Sequence, residues 1–403
     1  MKKISLTVIG LYICFLSAFS QSSTKQDTAY KSRKLKIDEI NFVSGYYHQD
    51  GNNSAVTGGI GSERLTDFAN TLELKVSKYD NKWRKHDLSF ELGIDTYTSA
   101  SSDKIDPHTL SSASMSDTRI YPSMSWNVTN EKKGTTFGAT ASYSQEFDYQ
   151  SFGAALNFSK ITENKNSEFA AKLQAYLDKW KVIYPIELRP QGYGTGGEDG
   201  GSVGSQPRNS FSVLVSYSQV INTRLQATLI IEPTYQQGLL ATKYQRVYFT
   251  DGSEQAETLP DKRFKIPLGI RANYFLGDRF IIRSYYRFYT DDWGLRAHTI
   301  DLEVPVKITP FFSLSPFYRF YTQKGIKYFA PYGMHQSNNT YFTSDYDLSK
   351  FTSNYFGMGI RIAPPKGVLG IQQLNSLELR FGHYIRSTDL NSNIVSLHLK
   401  FKP

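Results

Sequence analysis

The sequence predicts an all-β fold, a transmembrane antiparallel β-barrel of about sixteen strands, with fourteen to eighteen compatible with its boundaries. Three observations carry this. Polar and apolar residues alternate with the period of two that sends successive side chains to opposite faces of a strand. Connections between strands alternate short and long. Aromatic residues make up 14% of the chain, with 28 Tyr and 26 Phe, while charged residues still reach 21%. A barrel in lipid wants that mixture, because aromatics girdle its outer wall while its interior stays polar. Only every second residue then faces lipid, so the mean hydropathy of −0.43 is no obstacle.

The chain opens with a secretory pattern. Lys2 and Lys3 precede an apolar run from Ile4 to Phe15, and Ala18-Phe19-Ser20 places small residues for a cut ahead of Gln21. A membrane-spanning helix needs about 20 apolar residues, more than this run offers. The one cysteine, Cys14, lies inside the run and reads as signal core; a lipoprotein cysteine is the alternative. Cleavage after Ser20 leaves 383 of 403 residues and no cysteine, which removes disulfides, cysteine metal sites and thiol catalysis together. The expected layout is a signal peptide over 1–20, a short periplasmic segment over 21–35 and the barrel over 36–403, in the outer membrane of a Gram-negative cell. A segment this short is no plug domain, which argues against receptors of the plugged, energy-coupled kind.

The formal net charge is +9, from 46 Lys+Arg against 37 Asp+Glu. Nucleic-acid binding asks for basic clustering. Here no basic run exceeds three residues and the signs alternate along strands, so nucleic acid is not an expected partner.

The strands follow in order. In Thr71 to Ser77, Leu72, Leu74 and Val76 share one face and Glu73 and Lys75 the other. His86 to Asp95 sets Leu88, Phe90, Leu92 and Ile94 against Ser89, Glu91, Gly93 and Asp95. Glu168 to Asp178 sets Phe169, Ala171, Leu173, Ala175 and Leu177 against Lys172, Gln174 and Asp178. A helix would scatter those charges around its axis; a strand sorts them. Turn-forming residues make short connections at 80–82, 130–134, 163–166, 222–223, 277–278, 309–310 and 364–367. The other side has long connections at 49–67, 99–117, 179–208, 238–262 and 323–351, with brief ones near Asp148, at 290–294 and at 386–391. Short turns on one side and long loops on the other are the outer-membrane pattern, with both termini in the periplasm. The last strand, Asn393 to Phe401, resembles the C-terminal strand by which such proteins are recognised for assembly, although Lys402-Pro403 follows its aromatic.

With the apolar parity facing lipid, the opposite parity faces the bore. Phe280 to Tyr289 puts Phe280, Ile282, Tyr286 and Phe288 outside, and Arg283, Tyr285, Arg287 and Tyr289 inside. Asp301, Glu303, Arg319, Arg361, Glu378 and Arg380 share the inner parity of later strands. These are the candidate lumen-lining charges. Opposite charges across strands contribute roughly 0.2–1 kcal/mol each. The arrangement reads either as a self-neutralising ladder that fixes register or as an electrostatic constriction for small charged solutes.

Several segments are more specific than the alternation. Asn52 to Leu65, Tyr286 to Gly294 with Ala297-His298-Thr299, Pro316 to Tyr321 and, most distinctively, Thr343 to Ser349 (TSDYDLS) resemble signatures of an uncharacterised family, domain of unknown function 3570. The likeness spans nearly the whole mature chain and implies an outer-membrane barrel without an established activity.

Asp291, Asp292 and His298 flank one brief extracellular turn and, with Asp345 and Asp347 in a long loop, form a candidate acidic and histidine cluster. Such residues can gather a divalent cation, but Asp-rich loops more often cap their own turns, and no metal or cofactor is expected. Gly192 to Gly204 is glycine-rich without the strand, helix and lysine of a phosphate cradle, and reads as a loop. His383 is the one histidine placed to suggest wall-mounted catalysis, and no Gly-x-Ser-x-Gly elbow or paired carboxylates accompany it. Three readings stay open: a porin-like channel for small hydrophilic solutes, a non-conducting barrel that docks a periplasmic or surface partner, and an outer-membrane enzyme such as a hydrolase. The expected environment is outer-membrane lipid and lipopolysaccharide, with the barrel assembly machinery during biogenesis. Bulky inward residues (Tyr285, Tyr289, Phe317, Tyr321) favour a filled bore, and sixteen strands an open one.

Overall fold

The computed structural model describes residues 34–98, 116–190 and 202–403; the leader and its cleavage site lie outside them. Sixteen antiparallel strands run around a closed ring, each paired to its sequence neighbours. The first eight are β1 Lys36–Gly51, β2 Leu65–Tyr79, β3 Lys85–Thr98, β4 Ser116–Asn130, β5 Thr135–Gln145, β6 Tyr149–Ile161, β7 Ser167–Ile183 and β8 Ser202–Asn222. The second eight begin with β9, in the two pieces Leu225–Ile231 and Thr234–Gly238, then β10 Lys262–Leu276 and β11 Phe280–Asp291. They continue with β12, in the pieces Arg296–Glu303 and Val306–Thr309, then β13 Phe312–Lys324, β14 Phe351–Ile362, β15 Leu374–Arg386 and β16 Leu390–Phe401. The interruptions in β9 and β12 fall at Pro233 and Pro305, each of which lacks the N–H a ladder needs.

The ring closes between β1 and β16, from Ile40↔Phe401 to Gly51↔Leu390. Closure leaves no unpaired edge, the condition for a sheet to stand in hydrocarbon. No helix among the described residues is long and apolar enough to cross a membrane. The apolar surface is instead the barrel's outer wall: Phe90, Met124, Phe137, Leu156, Leu173, Ile270, Ile300, Met358 and Phe381 all stand exposed there.

The connections observe the expected alternation with one difference. The β14–β15 turn is longer than a tight turn at 364–367, since it runs from 363 to 373 and contains a one-turn 3-10 helix, Val368–Gly370. Pro364 and Pro365 cannot extend the ladder of β14, and Gly367 takes a left-handed φ of 80°. The glycine-rich stretch 192–204 lies mostly outside the described residues, which resume at Ser202.

Leu92 faces outward, paired with Leu72 and Pro122 on its neighbours. Leu92→Arg should therefore cost about 2–4 kcal/mol near mid-membrane and impair assembly, read by urea unfolding of the refolded barrel and its heat-dependent gel mobility. Normal assembly of that variant would mean that the parity is inverted.

Candidate functional site

Strand parity gathers the inward side chains of β10 to β15 into a basic wall. Arg283 Nη1 lies 3.0 Å from Glu303 Oε1, and Arg319 Nε lies 2.6 Å from Asp301 Oδ2. Arg380 donates to Glu378 Oε1 at 3.1 Å and to Glu303 Oε2 at 3.0 Å. The second contact spans β14 and β13, and Gly359 permits it: a Cβ there would meet Arg380 Cγ at 3.3 Å. The guanidinium comes to rest 5.0 Å from the Phe317 ring. Seven of the eight charges expected in the lumen thus join in ion pairs or, for Arg287, in a ring contact with Tyr289. The eighth, Arg361, is paired by register with Glu378, whose carboxylate is taken by Arg380.

Among the described residues, Arg271, Arg287 and Arg361 have no carboxylate within ion-pair distance, and all three are exposed to the bore. Arg271 and Arg287 sit over Tyr285 and Tyr289, with 5.6 and 5.7 Å to the ring centroids. Glycines on the inner face decide how several inward rings lie. Gly93, opposite Tyr121 on the next strand, is so close to that ring that a Cβ would meet it at 1.9 Å. Gly382, diagonal to Tyr355 on the next strand, is as closely covered by that ring, which a Cβ there would meet. Where the neighbour has no side chain, a tyrosine lies over the wall instead of projecting into the lumen.

An acidic wall stands on β1 to β3, half a ring from β10 and β11, and its polar parity is plain in the sequence although its place across from Arg271 and Arg287 is not. Glu73 accepts from Asn41, Ser89 and Lys75. Asp95 accepts from the Tyr121 hydroxyl at 2.8 Å. Glu91 shares that parity and stands directly across from Glu73 by register.

The extracellular loops cross the mouth between these walls. The loop 239–261 carries a small hairpin, Arg246–Tyr248 with Glu254–Ala256. It springs from β9, eight strands from β1, yet Arg246 Nη1 donates to Val56 O of the β1–β2 loop at 3.0 Å. Tyr248 approaches Gly58 of that loop, and its ring lies 4.7 Å from the Tyr332 ring of the β13–β14 loop. A contact between loops from opposite sides of the ring necessarily spans the bore. Apolar residues hold the cap together, with Leu240, Ala241, Leu259, Trp293, Leu295, Ala297 and Ile326 in one cluster and Val247, Phe249 and Phe342 in another.

Three acidic groups are built into this cap. Glu257 is fully buried; its Oε2 accepts from Thr242 N at 2.6 Å and its Oε1 from Thr343 Oγ1 at 2.5 Å. Burial raises its carboxyl to about 8, against the opposing pull of those hydrogen bonds and of Lys243. Glu63 is raised to about 7 by burial, partly offset by Arg386. Asp345 is raised by burial and by its neighbour Asp347. Asp345 also caps the one-turn helix Tyr346–Leu348 by accepting from Asp347 N, and Asp347 pairs with Arg386.

The expected cluster of Asp291, Asp292, His298, Asp345 and Asp347 does not assemble. Asp291 turns inward to Arg263, 2.9 Å from its Nε. His298 sits on the lipid-facing parity, with Nδ1 2.8 Å from the Tyr286 hydroxyl. Asp292 is exposed, and its carbonyl accepts from Lys327. Alternating parity separates 291 from 298, which neighbourhood in sequence does not reveal. A different trio, Asp117, Glu146 and Asp148, has oxygens within 4.8 Å of one another. Those oxygens already accept from Phe147 N, the Tyr97 hydroxyl and Trp180 Nε1. His383 also faces outward and meets Asn393 Oδ1 at 2.8 Å.

The model of a family described as "Protein of unknown function (DUF3570)" matches residues 96–393. No curated protein matches the chain. Solved structures similar to it include a BenF-like porin from Pseudomonas fluorescens Pf-5, at 8% identity over 93% of this chain and 100% of that one, with a TM-score of 0.44. Others are OccK9 (OpdG) of Pseudomonas aeruginosa, at 9% identity over 93% and 100% with a TM-score of 0.42, and OpdQ of the same species, at 9% over 93% and 98% with 0.44.

A carboxyl whose pKa is higher in the closed cap than in an opened one binds its proton more tightly when closed. Closure is then fully favoured below the ordinary value of 4.5 and loses stability as pH rises towards about 8. Proteolysis of loop 239–261 in the folded barrel should accelerate from pH 5 to pH 8.5, and Glu257→Gln, which cannot ionise, should flatten that rise. An equally steep rise in the variant would remove Glu257 from the account.

Proposed function

We propose that this chain, which belongs to the DUF3570 family of proteins of unknown function, is an outer-membrane channel for small hydrophilic solutes that carry charge. The observation behind the reading is the set of three inward-parity arginines without carboxylate partners, Arg271, Arg287 and Arg361, the first two of them on strands half a ring from Glu73, Glu91 and Asp95. A ladder that served only to fix register would neutralise them. Left free across from an acidic wall, Arg271 and Arg287 set up a field transverse to the bore, which draws and orients solutes with an anionic group.

The cap favours a second reading, in which the barrel stays shut and serves as a platform for a periplasmic or surface partner. Loops from opposite sides of the ring bonded across the mouth are what such a barrel would have. An enzymatic role draws little from the wall histidine, since His383 points to the lipid side.

The two readings part in a planar bilayer. The refolded protein should give stepwise openings in concentrated salt, and Arg271→Ala with Arg287→Ala should shift the reversal potential in a salt gradient towards cations while leaving assembly intact. A folded but electrically silent barrel would favour the platform. Bore geometry supplies a further check. Gly382→Leu should lift the Tyr355 ring off the wall and lower single-channel conductance, whereas an unchanged conductance would place the narrowest point elsewhere, in the cap.

A further inference from the structure

The outward parity at the extracellular ends of β12, β13 and β14 carries a feature that neither the bore nor the cap uses. Arg296 and Lys324 are direct cross-strand partners. Both are exposed, and among the described residues neither has a carboxylate within ion-pair distance. Two like charges opposite one another destabilise a strand pair unless something anionic sits between them. Lys350 extends the row onto β14, since Gln323 pairs with Phe351 and the next outward positions are 324 and 350. Lys262 and Lys327 stand close by, exposed on the same rim, and the acids in the neighbourhood are Asp261 and Asp292.

What lies below the row along each strand identifies the occupant. On β12 the outward residues run Arg296, His298, Ile300, Leu302; on β13 they run Lys324, Thr322, Phe320, Tyr318; on β14 they run Lys350, Thr352, Asn354, Phe356, Met358. Each column passes from a cation through a polar residue to apolar ones. The polar layer is internally bonded, with Tyr286 on His298 and the Tyr318 hydroxyl on Asn354 Oδ1 at 2.7 Å. That order matches an amphiphile whose phosphate lies at the rim, whose sugars lie at the polar layer and whose acyl chains lie on the belt. A free phosphate would use only the top of it.

We infer that Arg296, Lys324 and Lys350 form a docking site for the phosphate groups of a phosphorylated glycolipid of the outer leaflet, seated against the β12–β14 wall. The inference rests on the outer-membrane placement above but not on conduction.

Binding of bisphosphorylated lipid A to the detergent-refolded full chain, followed by native mass spectrometry and thermal shift, tests it. Wild type should bind at least one molecule and should discriminate strongly against the same lipid stripped of its phosphates. The variant R296Q/K324Q/K350Q should bind on the order of a hundredfold more weakly, with unchanged heat-dependent gel mobility. Equal binding by the variant, or no discrimination by wild type, overturns the site. Displacement of lipid A by millimolar inorganic phosphate would make it a free-anion site and overturn the lipid assignment. The discrimination test needs no variant, so a folding defect in the triple substitution leaves the result readable. Failure of wild type to insert into lipid bilayers would count against membrane placement, whereas insertion without lipid A binding counts against this site alone.

Discussion

The pairing of β1 with β16 is the constraint from which the rest of the structure follows. Twelve register pairs from Ile40↔Phe401 to Gly51↔Leu390 remove the last free edge. Once no edge remains, the backbone N–H and C=O groups of the wall find partners inside the sheet except at local breaks such as Pro233 and Pro305, and the outer surface is free to be as apolar as lipid requires. Closure also gives the alternation its meaning. A one-residue slip anywhere in the ring would exchange the two faces of that strand, sending Arg283 and Arg287 to the lipid and Ile282 and Phe288 to water.

A barrel built this way has no conventional core in its wall, and this molecule puts one on top. Trp293, Leu240, Leu259 and Ile326 are buried beneath and between the loops. The Trp293 ring is held from both sides, by its Nε1 donating to Lys262 O and by the Arg263 guanidinium 4.4 Å from its centroid. Three of the four segments that carry the family resemblance, dispersed over about three hundred residues of sequence, meet here. Loop 52–64 receives Arg246, the turn after β11 supplies Trp293, and Thr343 closes on Glu257. What distinguishes the chain from a generic barrel is therefore concentrated at its mouth.

The wall was legible in the sequence because its signal is local: a strand's faces can be read from six or seven residues, as around Leu92 and around Arg287. Properties that depend on two distant strands were not. The Arg380–Glu303 contact passes Gly359 and Phe317 on the strands between, and β1 to β3 face β10 and β11 only because the ring contains sixteen strands. The same limit explains the cluster that failed to form. Asp291 and His298 are neighbours in sequence, but a turn and a change of parity send one to Arg263 and the other to Tyr286. The cap was hardest to read, since its loops carry no period and their contacts join residues nearly two hundred positions apart.

The state of the bore follows from its guanidinium groups. The side chains of Arg283 and Arg319 keep about half their surface accessible even while ion-paired, at 51% and 50%, and Arg271, Arg287 and Arg361 have no carboxylate at all. A charge facing a dry cavity without a partner costs far more than any cross-strand contact returns. The barrel tolerates these residues because water solvates them, and the glycine-backed tyrosines leave room for that water along the wall. On the channel reading the bore beneath the cap is wet, and conduction reduces to the cap. There the groups that would have to be hydrated on opening include Glu257, whose carboxyl burial raises to about 8. On the channel reading the charges that would meet a solute lie in the wall, and the barrier to it lies in a few loop contacts around Glu257.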